Sequence, residues 1–230
     1  MNFIIVGLGN FGASLAEKLT AEGHEVIGID ERMQKVELLK EKITHTICMD
    51  ATDEQAVRGL PVANTDIVIV AIGEEQGANI LVTALFKNLG ARRLISRAID
   101  PLHEKVLEAI GITEIVHPEE ETAERWAKKL CLTNVEDSFE LDENYSIVEA
   151  TVPEQYSGKT IMEMQFRNRF NLLVLTTIKS TKEKSLIGGS RRVNRATGVI
   201  KPDHVLEAGD TLVLFGSNQD LQNFLNQKFK

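Results

Sequence analysis

Residues 4–12 read IIVGLGNFG, an apolar run that stops on three glycines spaced as GxGxxG. This combination constrains the chain more than any other segment, because it suits a strand that turns sharply into a helix around an anion. Gly7 permits the tight turn, Gly9 lets backbone approach a pyrophosphate, and Gly12 allows the helix to pack closely on the sheet. Leu8, Asn10 and Phe11 complete the turn, and the amides at the helix start are placed to hold a phosphate. The pattern gains weight only if the rest of a nucleotide-binding unit follows at the right distances.

It does follow. Short apolar runs alternate with helical periods through the first half, predicting parallel strands at 2–6, 25–29, 45–49, 66–72, 92–97 and 113–117. Helices are expected between them. One is Gly12–Glu22, with Leu15, Ala16 and Leu19 on one stripe. Another is Gln76–Leu89, with Ile80, Ala84 and Phe86 leaning on the sheet. Gly23, Gly90 and Gly111 follow three of the helices as C-caps. The fold class is therefore α/β, a Rossmann-type doubly wound parallel sheet.

Asp30 ends the second predicted strand, 18 residues after Gly12, where an acidic residue meets ribose hydroxyls. A carboxylate there favours NAD or an adenosine nucleotide over NADP. Arg32 leaves the other choice open, since a nearby arginine accommodates a 2′-phosphate. Further candidates fall at the carboxyl ends of later strands. Asp50 would accept from an adenine amino group or cap a helix, and Ala51 leaves room for the ring. Ile72 and Gly73 suggest close backbone approach to a ligand. Arg97 would reach a phosphate or pair with an acid such as Glu119, which itself would neutralise Arg97 or bind a metal carried by a triphosphate. The five histidines show no metal spacing, and His117 reads as part of a strand-to-helix turn.

After the sixth strand, Pro118 opens EEETAERWAKKLCL, with acids early and Lys128 and Lys129 late, as a helix dipole favours. Ala123, Trp126, Ala127 and Leu130 make an apolar face with no further parallel strand to return to. It is expected to pack on a second protomer or on its own sheet edge. Residues 133–143 read as a polar linker to a small α+β module. That module contains YSIVEATV, a capped helix after Ser157, LLVLTTIK, TLVLFG, and a last helix from about Asp220 to Phe229. The division expected is 1–118, 119–137 and 138–230.

A net charge of −8 argues against a broad nucleic-acid surface. The basic stretch Lys179–Lys201, with seven basic residues against Glu183 alone, reads as a solvated loop or an anion contact. Cys48 and Cys131 form no framework, which fits a reducing cytoplasm. Met1 leads straight into the first strand without a leader pattern, and the longest apolar run, Ile67 to Ile72, is far short of the ~20 residues of a membrane helix. Any membrane association is thus expected to go through a partner.

GLGNFG, Asp30, the DAT triplet at Asp50, IVIVAIG, IVHPE and KPDHVLEAGDTLVLFG together resemble the RCK-type regulatory subunits of Trk/Ktr potassium-uptake systems, over essentially the whole chain. The resemblance implies a Rossmann lobe, a crossover helix that builds a dimer, and a carboxyl-terminal RCK-C lobe. It further implies a non-enzymatic cytoplasmic homodimer assembled into a ring, commonly octameric, beneath a membrane-embedded cation channel subunit. The nucleotide, NAD/NADH or ADP/ATP, would be lined by Gly7, Leu8, Gly9, Asn10, Phe11, Gly12, Asp30, Arg32, Asp50, Ala51, Ile72, Gly73 and Arg97, with Glu119 matching the acidic position after the sixth strand. Asn10 stands where close relatives carry an arginine that reaches the γ-phosphate of ATP. The alternative class is an NAD-dependent oxidoreductase, for which the sequence shows no Lys/His/Tyr constellation.

Overall fold

A computed structural model of the protein describes residues 1–131, 135–184 and 190–226, without the side chains of 128, 129, 131, 136, 182–184 and 190–192. It divides into two compact units, Met1–Glu120 and Glu121–Lys230.

The first unit alternates strands and helices as the apolar rhythm predicts: β1 (Asn2–Val6), α1 (Asn10–Ala21), β2 (Glu25–Asp30), α2 (Met33–Leu39), β3 (His45–Cys48), α3 (Glu54–Arg58), β4 (Ile67–Val70), α4 (Gln76–Asn88), β5 (Leu94–Arg97), α5 (Pro101–Ile110), β6 (Glu114–Val116) and α6 (Pro118–Cys131). All pairings are parallel, in the order β3-β2-β1-β4-β5-β6. All four residues of β4 are buried because helices cover both faces of a central parallel strand. Ile4, Ile5, Ile29 and Phe86 are fully buried, each worth roughly 1.5–3 kcal/mol. The strand order reverses between β1 and β4, and ligands of open α/β sheets bind at the carboxyl ends of the strands beside such a reversal.

Two local expectations change in detail. The buried side of α4 is Asn79, Val82, Thr83 and Phe86, while Ile80 and Ala84 are only half-buried. Polar residues take the inner face because buried partners await them there. Asp53 caps α3 through Gln55 N at 2.9 Å, so Asp50 is not that cap.

The second unit is an antiparallel sheet in the order β10-β9-β11-β8-β7, built from β7 (Val135–Glu140), β8 (Tyr145–Thr151), β9 (Leu173–Lys184), β10 (Ser190–Ala196) and β11 (Thr211–Ser217). The helices α7 (Ile161–Met164), α8 (Phe166–Phe170) and α9 (Asn218–Leu225) complete it. Thr160 and Glu163 form a capping box at the expected capped helix. The apolar core joins Val148, Ala150, Leu212 and Leu214 of the sheet to Leu221 and Phe224 of α9.

Two readings are corrected here. Residues 135–140 of the expected linker pair with β8 as a strand, and Val135 is buried in the core of the second unit. Within the expected basic loop, 178–184 pair with 190–196 as a hairpin, because Thr181 and Val193 give those segments strand character. The side chains of Lys182, Lys184, Arg191, Arg192, Lys128, Lys129 and Cys131, and the chain at 227–230, lie outside the described residues.

His103 on α5 is 2% exposed, and neither ring nitrogen has a hydrogen-bond partner among the described residues. Burial pushes its pKa below the ordinary 6.5, opposed by the charge of Asp100. The unfolded chain therefore takes up this proton first, so stability is complete above the ordinary value and falls as pH drops through it toward the folded value. Urea unfolding at about pH 7.5 and about pH 5.5 is expected to show a larger acid loss for the wild type than for His103→Leu. Equal losses would contradict the burial argument.

Candidate functional site

The glycine turn is built as its spacing requires. Gly7 has φ +95, and its N–H donates to Ile29 O at 2.8 Å, joining the end of β1 to β2. A Cβ on Gly7 would lie 2.9 Å from Ile72 N, and one on Gly12 would lie 2.0 Å from Gly7 O, so backbone excludes side chains at both positions. At Gly9 the nearest atom to a Cβ would be Lys35 Nζ, at 4.0 Å. The space it would fill belongs to a cleft of about 370 Å³ that opens at the strand reversal.

Of the residues the sequence singles out, Gly7, Gly9, Asn10, Phe11, Asp30, Arg32, Asp50, Ala51, Ile72, Gly73, Arg97 and Glu119 line this cleft. Leu8 and Gly12 do not. The Leu8 side chain is buried in the core on one side of the sheet, and Gly12 lies behind the turn against Gly7 and Ala71. Their contribution is the shape of the turn.

Asp30 is 7% exposed and its two oxygens serve different amides. Oδ2 accepts from Leu8 N at 2.8 Å and Oδ1 from Arg32 N at 3.0 Å. The carboxylate at the end of β2 thus ties down both the glycine turn and the start of α2 while facing the cleft. Around it stand groups the sequence reading left out. Lys35 Nζ lies 3.7 Å from Asp30 Oδ2 and 3.6 Å from Glu74 Oε1, and Arg32 Nη2 meets Glu74 Oε2 at 2.6 Å. The hydrogen bond from Arg32, with the nearby charge of Lys35, holds the Glu74 carboxyl below its ordinary range. Lys35 was legible in principle, since it falls one turn into the helix after Asp30.

Asp50 turns on itself. Its Oδ1 accepts from Thr52 N at 2.8 Å and Thr52 Oγ1 at 2.7 Å, and these bonds lower its pKa. This turn places Ala51 at the cleft wall.

Gly73 has a different neighbour from the one expected. A Cβ there would lie 2.2 Å from an Arg97 guanidinium nitrogen, so the missing side chain makes room for Arg97. The Arg97 side chain, 15% exposed, reaches Glu119 Oε1 through Nη2 at 2.5 Å, and its buried Nε has no hydrogen-bond partner among the described residues. The ion pair anticipated for Arg97 is therefore formed, with an acid in the first turn of α6. His117 stands at the junction of β6 and α6, its Nε2 3.3 Å from Glu104 Oε1.

The strand ends that carry Ile72 and Arg97 are held by a buried amide. Asn79 Nδ2 donates to Ile72 O at 2.9 Å and to Arg97 O at 3.1 Å, and Asn79 Oδ1 accepts from Ser96 Oγ at 3.0 Å. Thr83 and Ser96 hydroxyls pair at 3.0 Å. The expected apolar stripe on α4 concealed this network, although an Asn among apolar residues of a helix was its sign.

Asn79→Leu would leave those carbonyls and hydroxyls without their partner in a dry interior, and urea unfolding is expected to show a loss of about 2–4 kcal/mol. A loss below about 1 kcal/mol would mean the amide is not holding the strand ends.

With this geometry in view, similarity to known proteins can be placed. The TrkA-N domain family matches residues 3–118. The chain is 34% identical over 224 residues to Ktr system potassium uptake protein C of Bacillus subtilis, covering 96% of this chain and 95% of that one. It is 32% identical to Ktr system potassium uptake protein A of the same organism, over 98% and 96% of the two chains. Among solved structures, the GsuK RCK domain superposes with a TM-score of 0.64 at 20% identity over 98% of this chain, and the GsuK channel bound to NAD with 0.62 at 21% over 97%. This chain spans 48% and 39% of those two, and at such identity they speak to the fold. The TrkA-N match and the full-length Ktr relatives show that the chain belongs to the TrkA/KtrA family of potassium-uptake proteins.

Proposed function

We propose that this chain is a nucleotide-sensing regulatory subunit that gates a membrane-embedded Trk/Ktr-type potassium channel from the cytoplasm. The observation that carries the proposal is the cleft at the strand reversal, where the glycine turn, the α1 amino terminus and Asp30 converge. They fit an adenine nucleotide in detail. Phosphates would lie against the amides at the start of α1, ribose hydroxyls would donate to Asp30, and the ring would rest by Ala51. NAD/NADH and ADP/ATP all present these groups. The names of the Ktr relatives and of the NAD-bound GsuK channel support both the uptake role and the ligand class.

The ligand is held and not transformed in this reading. A ligand shifts a two-state protein only by the difference in its affinity for the two states, so something in the cleft must differ between them. Arg97 is that element. It is shared between the cleft and Glu119 in the first turn of α6, so a phosphate that recruits Arg97 competes with Glu119 and loosens the start of the helix. The helix runs from Pro118 in the first unit to Cys131 in the second, which supports a connecting role for α6. Trp126 and Leu130 on it are 52% and 78% exposed, which supports the pairing of two copies and their assembly into a ring. No helix of the described residues is long and apolar enough to cross a membrane.

Gly9→Val tests the site with little disturbance of the fold, since the backbone at Gly9 is extended and only the cleft lies near a new side chain. Calorimetric titration with NADH and with ADP is expected to show affinity reduced by about tenfold or more, with thermal stability nearly unchanged. Unchanged affinity for both would refute the site. Sustained turnover of NADH with a small carbonyl compound would instead assign an oxidoreductase.

A further inference from the structure

Glu74 sits on the loop between β4 and α4, and nothing in the glycine turn or in the Asp30 interval calls for it. It nevertheless takes both cations that flank Asp30. Its Oε2 lies 2.6 Å from Arg32 Nη2 and its Oε1 3.6 Å from Lys35 Nζ. The same cations lie 3.7 Å from Asp30, Arg32 through Nε and Lys35 through Nζ. Two acids and two bases thus offset one another at the end of β2, with Glu31 a further acid whose charge also acts on Arg32.

That position has a specific chemical meaning. The acid that ends the second strand of a nucleotide-binding Rossmann unit receives the ribose 2′-hydroxyl, and a 2′-phosphate is accommodated where a nearby cation is available to it. Among the described residues, Arg32 and Lys35 stand beside Asp30, each 3.7 Å from it, and both are already paired with Glu74. A 2′-phosphate dianion entering beside Asp30 would add two negative charges to a cluster whose cations are already paired, whereas a 2′-hydroxyl adds none and donates a hydrogen bond.

We propose that Glu74 determines dinucleotide choice in this cleft by occupying Arg32 and Lys35, so that the chain takes a dinucleotide with a free 2′-hydroxyl and rejects its 2′-phosphorylated counterpart. This inference rests on the nucleotide-binding reading of the cleft and refines it. Glu74 acts across the binding site and not by stabilising the fold. Its side chain is 65% exposed and that of Arg32 49%, and ion pairs so open to water add little to stability. Their effect on a ligand is larger, because the phosphate would be wedged among all four groups at once and against the buried side of Asp30. Arg32 alone, read from the sequence, points toward a 2′-phosphate; Glu74, 42 residues later, reverses that sign.

The test is an equilibrium titration of the full-length wild type and of Glu74→Gln with NADH and NADPH, followed by nucleotide fluorescence at low and high salt. The wild type is expected to favour NADH. Glu74→Gln is expected to gain about tenfold in NADPH affinity while keeping NADH affinity within about twofold, the gain shrinking as salt screens the cluster. An unchanged NADPH to NADH ratio in Glu74→Gln, or a wild type that binds NADPH as tightly as NADH, overturns the inference and leaves nucleotide binding standing. Binding of ADP or ATP with neither dinucleotide does the same. A wild type that binds none of these refutes the nucleotide reading itself, and the inference with it.

Discussion

The Asp30 carboxylate is the constraint on which the rest of the cleft depends. A buried acid is costly unless its oxygens are satisfied, and here one accepts from Leu8 N and the other from Arg32 N. Those two bonds join the glycine turn after β1 to the start of α2, across the neighbouring ends of parallel strands. The turn is thereby held open in the shape an anion needs. In the proposed function a structural duty and a binding duty would fall on this one side chain, so substitutions of Asp30 would affect fold and ligand together, and Gly9 would report on binding more cleanly.

Across the strand reversal a second anchor does the same work with neutral groups. Asn79 fastens the ends of β4 and β5, which fixes Ile72 and Arg97 at the cleft wall. Gly73 makes room for the Arg97 guanidinium, and Arg97 extends to Glu119. A chain of contacts therefore runs from the cleft wall to the first turn of α6. Its last link is an ion pair whose acid is exposed, the kind that a competing phosphate displaces at small cost. On the other side of the cleft, beside Asp30, Arg32 and Lys35 are instead engaged by Glu74, the pairing on which the proposed rejection of a 2′-phosphate rests.

Much of this was legible in the sequence. Strand positions in the first unit followed from apolar runs, the turn from its glycines, and Asp30 from its interval, because each rests on local chain geometry. What escaped were relations between distant residues. Glu74 and Lys35 matter through their meeting, which no spacing rule contains. Asn79 and Thr83 interrupt an apolar helix face in a way that reads as surface until Ser96 and the strand-end carbonyls are seen beside them. Gly73 lines the cleft as its spacing suggests, and its missing side chain also makes room for the Arg97 guanidinium, a neighbour 24 residues away that no local pattern announces. In the second unit, β7 and the β9–β10 hairpin are rich in charge, and their strand character comes from pairing that single-segment hydropathy does not register.

The central claim is that occupancy of the cleft is read out at Glu119. Hydrogen exchange of the full chain with and without saturating NADH or ADP tests it most directly. The account predicts slowed exchange at the glycine turn around 7–13 and at 72–79, together with altered exchange in the first turn of α6 around 117–122. Ligand protection confined to the cleft, with the first turn of α6 unchanged, would contradict it.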